Sequence, residues 1–202
     1  MVSLAISVEG QTEERFIQMV MVPYLQSRCI YAVPLRLGSG GGDVYLPRIK
    51  KELTHLAKSF DKVTTLYDFY GFRGKAGGEN KASLEDKIID CVAAPLREKI
   101  IPYVQMYEFE GILFSSPEAM ENNIDQAGLA DWANKVLQRF GGDPEKINDS
   151  PQTAPSKRLL NETNYIKTVH GPDIAREIGL TVLREKCTGF SEWLNKLEAM
   201  GK

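Results

Sequence analysis

Five carboxylates stand at or just beyond the carboxyl ends of runs that read as strands. Glu9 follows "VSLAISV", Glu13 lies in the charged stretch after it, Asp68 lies in "KVTTLYDF", and Glu108 and Glu110 lie in "YEFEG". Open α/β sheets meet their ligands at that end of the strands. Neighbouring parallel strands run about 5 Å apart, so acids at adjacent strand ends could converge within a few side-chain lengths. Converging carboxylates repel one another, and such a site implies a bound cation. Oxygen ligands without paired His or Cys point to Mg2+ or Mn2+ rather than zinc. Taken singly, each acid reads more readily as a solvated surface group, since charged residues are mostly exposed, and Glu13 and Glu14 would suit the first turn of a helix capped by Thr12. Glu9, before the turn at Gly10, is not covered by that account.

Basic residues near these acids suggest anion binding. Arg73, Lys75 and Lys81 follow Asp68 in "DFYGFRGKAGGENK" and could hold phosphates beside a metal, or simply face solvent. Lys157 and Arg158 in "TAPSKRLL" sit at a helix start, where backbone N–H groups and cations together favour an anion. The Gly-rich "GSGGGD" matches neither GxxxxGK[ST] nor the dinucleotide fingerprint, which belongs after the first strand, and reads as a loop. In "YEFEG", strand alternation would send Glu108 and Glu110 to one face with Phe109 opposite.

The elements that must position these groups alternate in the first half of the chain. Strands at "VSLAISV", "IYAVPLRL", "KVTTLYDF" and "IIPYVQMYEFEGILF" are separated by helices at Glu13 to Gln26, about Val44 to Ser59, and "SLEDKIIDCVAAPLREK" with Ser83 as N-cap. That order implies a parallel sheet with crossover helices. From about Pro117 the texture changes to short helices, "ADWANKVLQRFG" and "IAREIGLTVLREK", around a polar segment, "GGDPEKINDSPQTAPSKRLLNETNY", which reads as a flexible or binding loop. Residues 1–116 are expected as the α/β core and 117–202 as a helical extension packing on it, within a single domain. Phe190, Trp193, Leu194 and Leu197 form a stripe suited to core packing by a terminal helix.

The 202 residues, 43% hydrophobic and 26% charged, suffice to bury a real core. A net charge of −2 gives no basic field, so a nucleic-acid partner would be held by a local patch or through metal ions. Cys29, Cys91 and Cys187 form no CxxC pair, and His55 and His170 are isolated, so neither a disulfide framework nor a zinc site is suggested. No apolar run approaches the roughly 18 residues that span a bilayer, which leaves no membrane role, and a reducing cytoplasm is the expected location.

Together, "VEGQTEERF", "YDFYGF", "YEFEGILF", "PEKIND", "TAPSKRL" and "CTGFSEWL" resemble an uncharacterised bacterial domain-of-unknown-function family, often encoded near ATPases. That family in turn resembles toprim nucleases of the overcoming-lysogenization-defect type. The resemblance implies a toprim-like parallel sheet flanked by helices. It makes Glu9 the first-strand acid, Glu13 an aid to a second metal, and Asp68 the first Asp of a DxD pair whose second member is replaced by Tyr70, with Glu108 or Glu110 as substitute. It implies metal-dependent phosphodiester hydrolysis of nucleic acid, DNA or RNA, with Lys157 or Arg158 neutralising the developing charge and an ATPase as a possible partner. Two other readings stand beside it. One is a non-catalytic toprim-like module, with a role in phage defence, that binds nucleic acid or an ATPase. The other is a small-molecule phosphotransferase built on the Gly-rich loops.

Overall fold

The computed structural model describes residues 1–38 and 44–201. Most of "GSGGGD" lies outside the described residues. The three β-branched runs form parallel strands β1 (Val2–Val8), β2 (Ile30–Arg36) and β3 (Lys62–Asp68), ordered β2-β1-β3. Two short strands, β4 (Ile100–Ile101) and β5 (Val104–Gln105), both pair in parallel with β3. Pro102, which has no N–H for a ladder, lies between them.

Between β1 and β2 the chain is helical from Gln11, as α1 (Gln11–Phe16), a π-helical turn (Ile17–Met21) and α2 (Val22–Gln26). The N-cap is Gly10, without a side-chain cap, and Thr12 lies inside the helix, so the expected Thr12 cap is not formed. Helix α3 (Leu46–Ser59) leads to β3, and α4 (Lys81–Asp90) follows it. Asn80, not Ser83, caps α4. Ser83 is the third helical residue, and its hydroxyl answers back to Asn80 N–H in a capping box. The helix ends at Asp90 and resumes only as α5 (Ala94–Arg97), started by Pro95.

The expected fourth strand stops at Gln105. Tyr107 takes a left-handed backbone conformation (φ 60°), and Phe109–Ser115 winds as a 3-10 helix, so Glu108 and Glu110 do not alternate along a strand. Four helices complete the chain after α6 (Pro117–Ile124): α7 (Leu129–Arg139), α8 (Pro155–Glu162), α9 (Lys167–Lys186) and α10 (Thr188–Glu198). Helix α9 begins seven residues before the apolar periodicity suggested and kinks at Gly179 (φ 73°). The polar segment before it is ordered rather than loose. Ile147 and Leu159 are fully buried, and Ala154 and Tyr165 nearly so. Short 3-10 turns at Pro144–Lys146 and Pro151–Thr153 let sparse apolar residues reach inward without a regular period.

Alternation along the strands divides the apolar residues into two layers. Leu4, Ile6 and Leu66 face a large cluster with Phe16, Leu183, Phe190 and Trp193, whereas Ala5, Val63 and Tyr67 face Ile49, Leu53 and Ile88 from α3 and α4. The larger layer therefore joins β1 and α1 to the last helices. Leu183, Phe190, Trp193, Leu194 and Leu197 are all at most 1% exposed. Burying each contributes roughly 2 kcal/mol before the entropy of ordering it is subtracted. Helices α9 and α10 are thus integral to the fold. Trp193 also stacks on Tyr103 (centroids 4.5 Å, interplanar 6°), and its indole N–H donates to Thr64 Oγ1 at 2.8 Å.

Candidate metal centre

The carboxyl ends of β1 and β3 bring Glu9 and Asp68 side by side. The register pairs Val8 with Leu66, and the Asp68 backbone N–H donates to Glu9 Oε2 at 3.4 Å. One helical turn later, Glu13 is carried inward and buried. Gly10 and Gly71 make room for this pair. A Cβ on Gly10 would lie 3.1 Å from Glu13 Oε2, and one on Gly71 would lie 2.2 Å from Glu9 Oε2. Gly10 is extended (φ −146°), so it serves close approach and not a special backbone conformation.

Glu110 and Glu108 reach the same place by a different route from the one strand alternation suggests. The 3-10 helix turns Glu110 into the interior, where it is 2% exposed. Glu108 stays half-buried and accepts the backbone N–H of Ser156 at 2.8 Å. That N–H belongs to the first turn of α8, so the anion expected at "TAPSKRLL" is supplied by the protein itself.

Burial and mutual repulsion push these carboxyls away from their ordinary range. Burial raises Glu9 to about 7, with the Asp68 N–H and Lys167 opposing and Glu108 and Glu110 adding to the rise. Burial likewise raises Glu13 to about 7, reinforced by Glu110 and Glu9. Asp68 is driven well above the usual carboxylate range by burial and then by Glu13, Glu9, Glu110 and Glu108. Glu110 is raised by burial, with Lys167 partly offsetting it. The five acids share one field, and the sequence-based set is brought together as a group.

Among the described residues, the cation paired with one of these acids is Lys167, the first residue of α9, with Nζ 3.1 Å from Glu110 Oε1. Burial works against its charge, but Glu110, Glu108 and Asp68 outweigh it and hold the ammonium above its ordinary range. Tyr165 stands beside it, 4% exposed, its hydroxyl without a hydrogen-bond partner among the described residues and its ionisation opposed by burial, Glu110 and Glu13. Sequence reasoning missed both residues. A lysine opening a helix opposes the dipole, the signal that drew attention to Lys157, but with the helix expected to begin at Ile174 Lys167 was hidden in a loop.

The other expected basic residues lie elsewhere. Arg158 is 11% exposed, pairs with Asp149 (2.7 Å), stands 5.4 Å from the Phe140 ring centroid, and lines a cleft of about 420 Å3 with Trp132 and Arg139. Lys157 is exposed on α8. Lys81 donates to Val104 O, pairs with Glu85 and lies over the Tyr103 ring, a structural role at the sheet. Lys75 donates to Phe69 O and Phe72 O, fixing the turn after Asp68, and still senses Glu9. Arg73 is exposed, and its backbone N–H donates to Val44 O. Tyr70, where the second Asp of a DxD pair would be, gives its hydroxyl to Asn148 Oδ1 at 2.6 Å.

The donor set suits a hard divalent cation. It is oxygen-only, its acids outnumber Lys167, and Asp68 Oδ1 is enclosed without a hydrogen-bond partner among the described residues. Among those residues no three His, Cys, Asp or Glu side chains yet stand in a finished ligand arrangement, so the carboxylates would have to rotate toward a common centre.

The fold has a counterpart among solved structures. The C-terminal region of the Burkholderia pseudomallei OLD protein superposes over 100% of both chains, with a TM-score of 0.56 and 12% identity. At that identity the likeness concerns the mixed α/β fold, a parallel sheet flanked by helices. The C-terminal region of the Xanthomonas campestris pv. campestris OLD protein aligns over 98% of this chain and 96% of its own, at 18% identity and a TM-score of 0.40, too loose to carry an argument. No curated protein sequence matches. Among the described residues, no helix is long and apolar enough to cross a membrane. The match that assigns the sequence covers residues 8–198, nearly the whole chain, and by it the protein belongs to the family described as Domain of unknown function (DUF4276).

Proposed function

We propose that the protein is a divalent-metal-dependent phosphodiesterase acting on nucleic acid, with Glu9, Glu13, Asp68 and Glu110 as the metal-holding acids. The observation that carries this reading is the partly buried acid cluster at the carboxyl ends of β1 and β3, in which five carboxylates act on one another and Lys167 pairs with Glu110. The likeness of the fold to the OLD C-terminal region and the resemblance to toprim nucleases support the same direction. Mg2+ or Mn2+ held there would supply Lewis-acid polarisation of a phosphoryl oxygen and a more acidic water. Glu9, half-buried at the end of β1 and raised by burial in the metal-free site, would give up its proton on meeting the ion and serve as one of its ligands. Lys167, with its side chain 43% exposed, can meet the negative charge that develops on phosphorus-bound oxygens. We assign the charge-neutralising role to Lys167, whose ammonium already pairs with Glu110, whereas Arg158 is committed to Asp149 and Phe140.

The test incubates the full chain with supercoiled DNA, single-stranded DNA and RNA in Mg2+ or Mn2+, beside Glu9→Gln and Lys167→Met. Cleavage that needs the metal and drops at least 100-fold in both variants is expected. Cleavage by neither ion on any substrate, or undiminished in Glu9→Gln, removes the reading.

A second reading, a regulatory module that binds nucleic acid or a neighbouring ATPase without cleaving, is favoured by Tyr70 in place of an acid and by the unfinished ligand arrangement. Calorimetry separates the two, since tight Mn2+ binding lost in Asp68→Asn is expected of the hydrolase alone.

A further inference from the structure

Resting on the nucleic-acid reading above, we infer that Phe69, Tyr70 and Tyr107 form a stacking platform for unpaired bases, and that the substrate is a single strand. The three rings make a closed set beside the acids. Tyr70 and Tyr107 have centroids 5.5 Å apart, Phe69 and Tyr107 6.1 Å, and Phe69 and Tyr70 6.2 Å. Phe69 and Tyr70 directly follow Asp68, and Tyr107 directly precedes Glu108, so the platform joins two edges of the acid cluster.

Phe69 rests against the smaller core, and all three residues stay half-buried, so part of each remains open to a ligand. The backbone is arranged to hold them there. Tyr107 is in the left-handed region (φ 60°), uncommon for a bulky residue, and its carbonyl accepts the Tyr70 N–H at 3.0 Å. The Tyr70 hydroxyl is pinned by Asn148, and Lys75 ties Phe69 O and Phe72 O from below with its ammonium 5.2 Å from the Phe69 centroid. The rings are thus fixed before any ligand arrives.

A base offers its π-face only when it is unpaired and splayed, because in a duplex both faces are covered by neighbouring bases. An aromatic platform against a metal-binding acid cluster therefore selects for strands with free bases. Tyr70 has replaced an acid at this position of the resembled motif, and on this reading the change exchanges a ligand for a base contact.

The test measures anisotropy of labelled oligonucleotides with the full chain in Ca2+, which can neutralise the acids, with strand integrity checked on a gel. The ligands are a DNA single strand, the same sequence in RNA, its duplex, and the DNA strand with abasic sites. The single strand should bind about 10-fold more tightly than the abasic strand and more tightly than the duplex. Tyr107→Asn, which suits a left-handed backbone, and Tyr70→Leu should each lose about 10-fold, whereas Tyr70→Phe should keep most of the affinity. The DNA and RNA arms assign the sugar. Equal binding to abasic and intact strands, preference for the duplex, or no binding to any of the four overturns the inference. Absent Mn2+-dependent cleavage with intact single-strand preference overturns only the hydrolase reading.

Discussion

Lys167 Nζ lies 3.1 Å from Glu110 Oε1, and the two ends of this ion pair differ sharply in exposure, 43% for the lysine side chain and 3% for the glutamate. The pair lets a lysine reach from the surface into a field of carboxylates. Removing the lysine would leave Glu110 as a buried, unpaired charge, whereas removing the glutamate would leave a lysine that can turn to water.

Lys167→Met should therefore destabilise the metal-free protein by about 1–3 kcal/mol at pH 8. The loss should be smaller at pH 5 than at pH 8, because burial raises Glu110 and so favours its uncharged form as pH falls. Urea melts at the two pH values check this. An equal loss at both would mean that the methionine only disturbs packing.

Glu9 and Glu13 set a pH dependence of their own. Both have folded values of about 7 against an ordinary 4.5, so between those limits the folded state holds protons that the unfolded state has released. Stability then falls as pH rises, and the contribution present below pH 4.5 is lost by the time pH has passed about 7. In metal-free buffer the melting temperature should drop from pH 5 to pH 8, and Glu13→Gln should flatten that drop. A rise over this window in the parent would contradict the assignment.

Divalent metal should reverse the trend. Mn2+ at about 100 times its dissociation constant should stabilise the parent by roughly 2.7 kcal/mol. The effect should be larger at pH 8 than at pH 5.5, because protons compete for the same oxygens. Asp68→Asn and Glu110→Gln should lose it. Parent and variants stabilised equally would place the ion elsewhere.

Gly71→Ala isolates the position of Glu9 from the fold. The new methyl would overlap Glu9 Oε2, which is the movable end of a side chain, so the backbone can stay while the carboxylate is displaced. Stability within about 1 kcal/mol of the parent is expected, together with loss of the Mn2+ response. A variant with the full metal response would show that Glu9 is not a ligand.

Arg158→Met should behave in the opposite way. The guanidinium is largely buried between Asp149 and Phe140, so its loss should cost about 1–2 kcal/mol and leave the Mn2+ response unchanged. Thermal melts with and without the ion decide it.

The three long strands were legible because each is a short β-branched run ending in polar residues, and the acids could be placed from those ends alone. "YEFEG" misled because its apolar and acidic residues alternate like a strand, while the left-handed turn at Tyr107 has no marker such as Gly or Asn. Glu110 reached the cluster through a 3-10 helix instead. The segment around Ile147 and Leu159 looked loose because its few apolar residues follow no period, although each finds the core separately. Lys167 was invisible for a related reason. The start of α9 packs against α1, where a Cβ on Gly171 would already touch Tyr165 and Thr12; its N-cap Ile166 offers no side-chain cap, and among the described residues the side chain that closes this end, His170, accepts the Ile166 N–H from inside the helix.

The stack of Trp193 on Tyr103 has an optical consequence. Trp193 is held parallel to its neighbour, 1% exposed, with its indole N–H bound to Thr64, whereas Trp132 is half-buried near Phe114 at the edge of an open cleft. One indole is thus dry and rigid and the other wet. Trp193 should dominate the near-ultraviolet circular dichroism and emit at the shorter wavelength, while an aqueous quencher such as iodide should reach Trp132 first. Any lifting of α10 from the sheet would then appear as a red shift in the protected emission, a signal that needs neither label nor ligand.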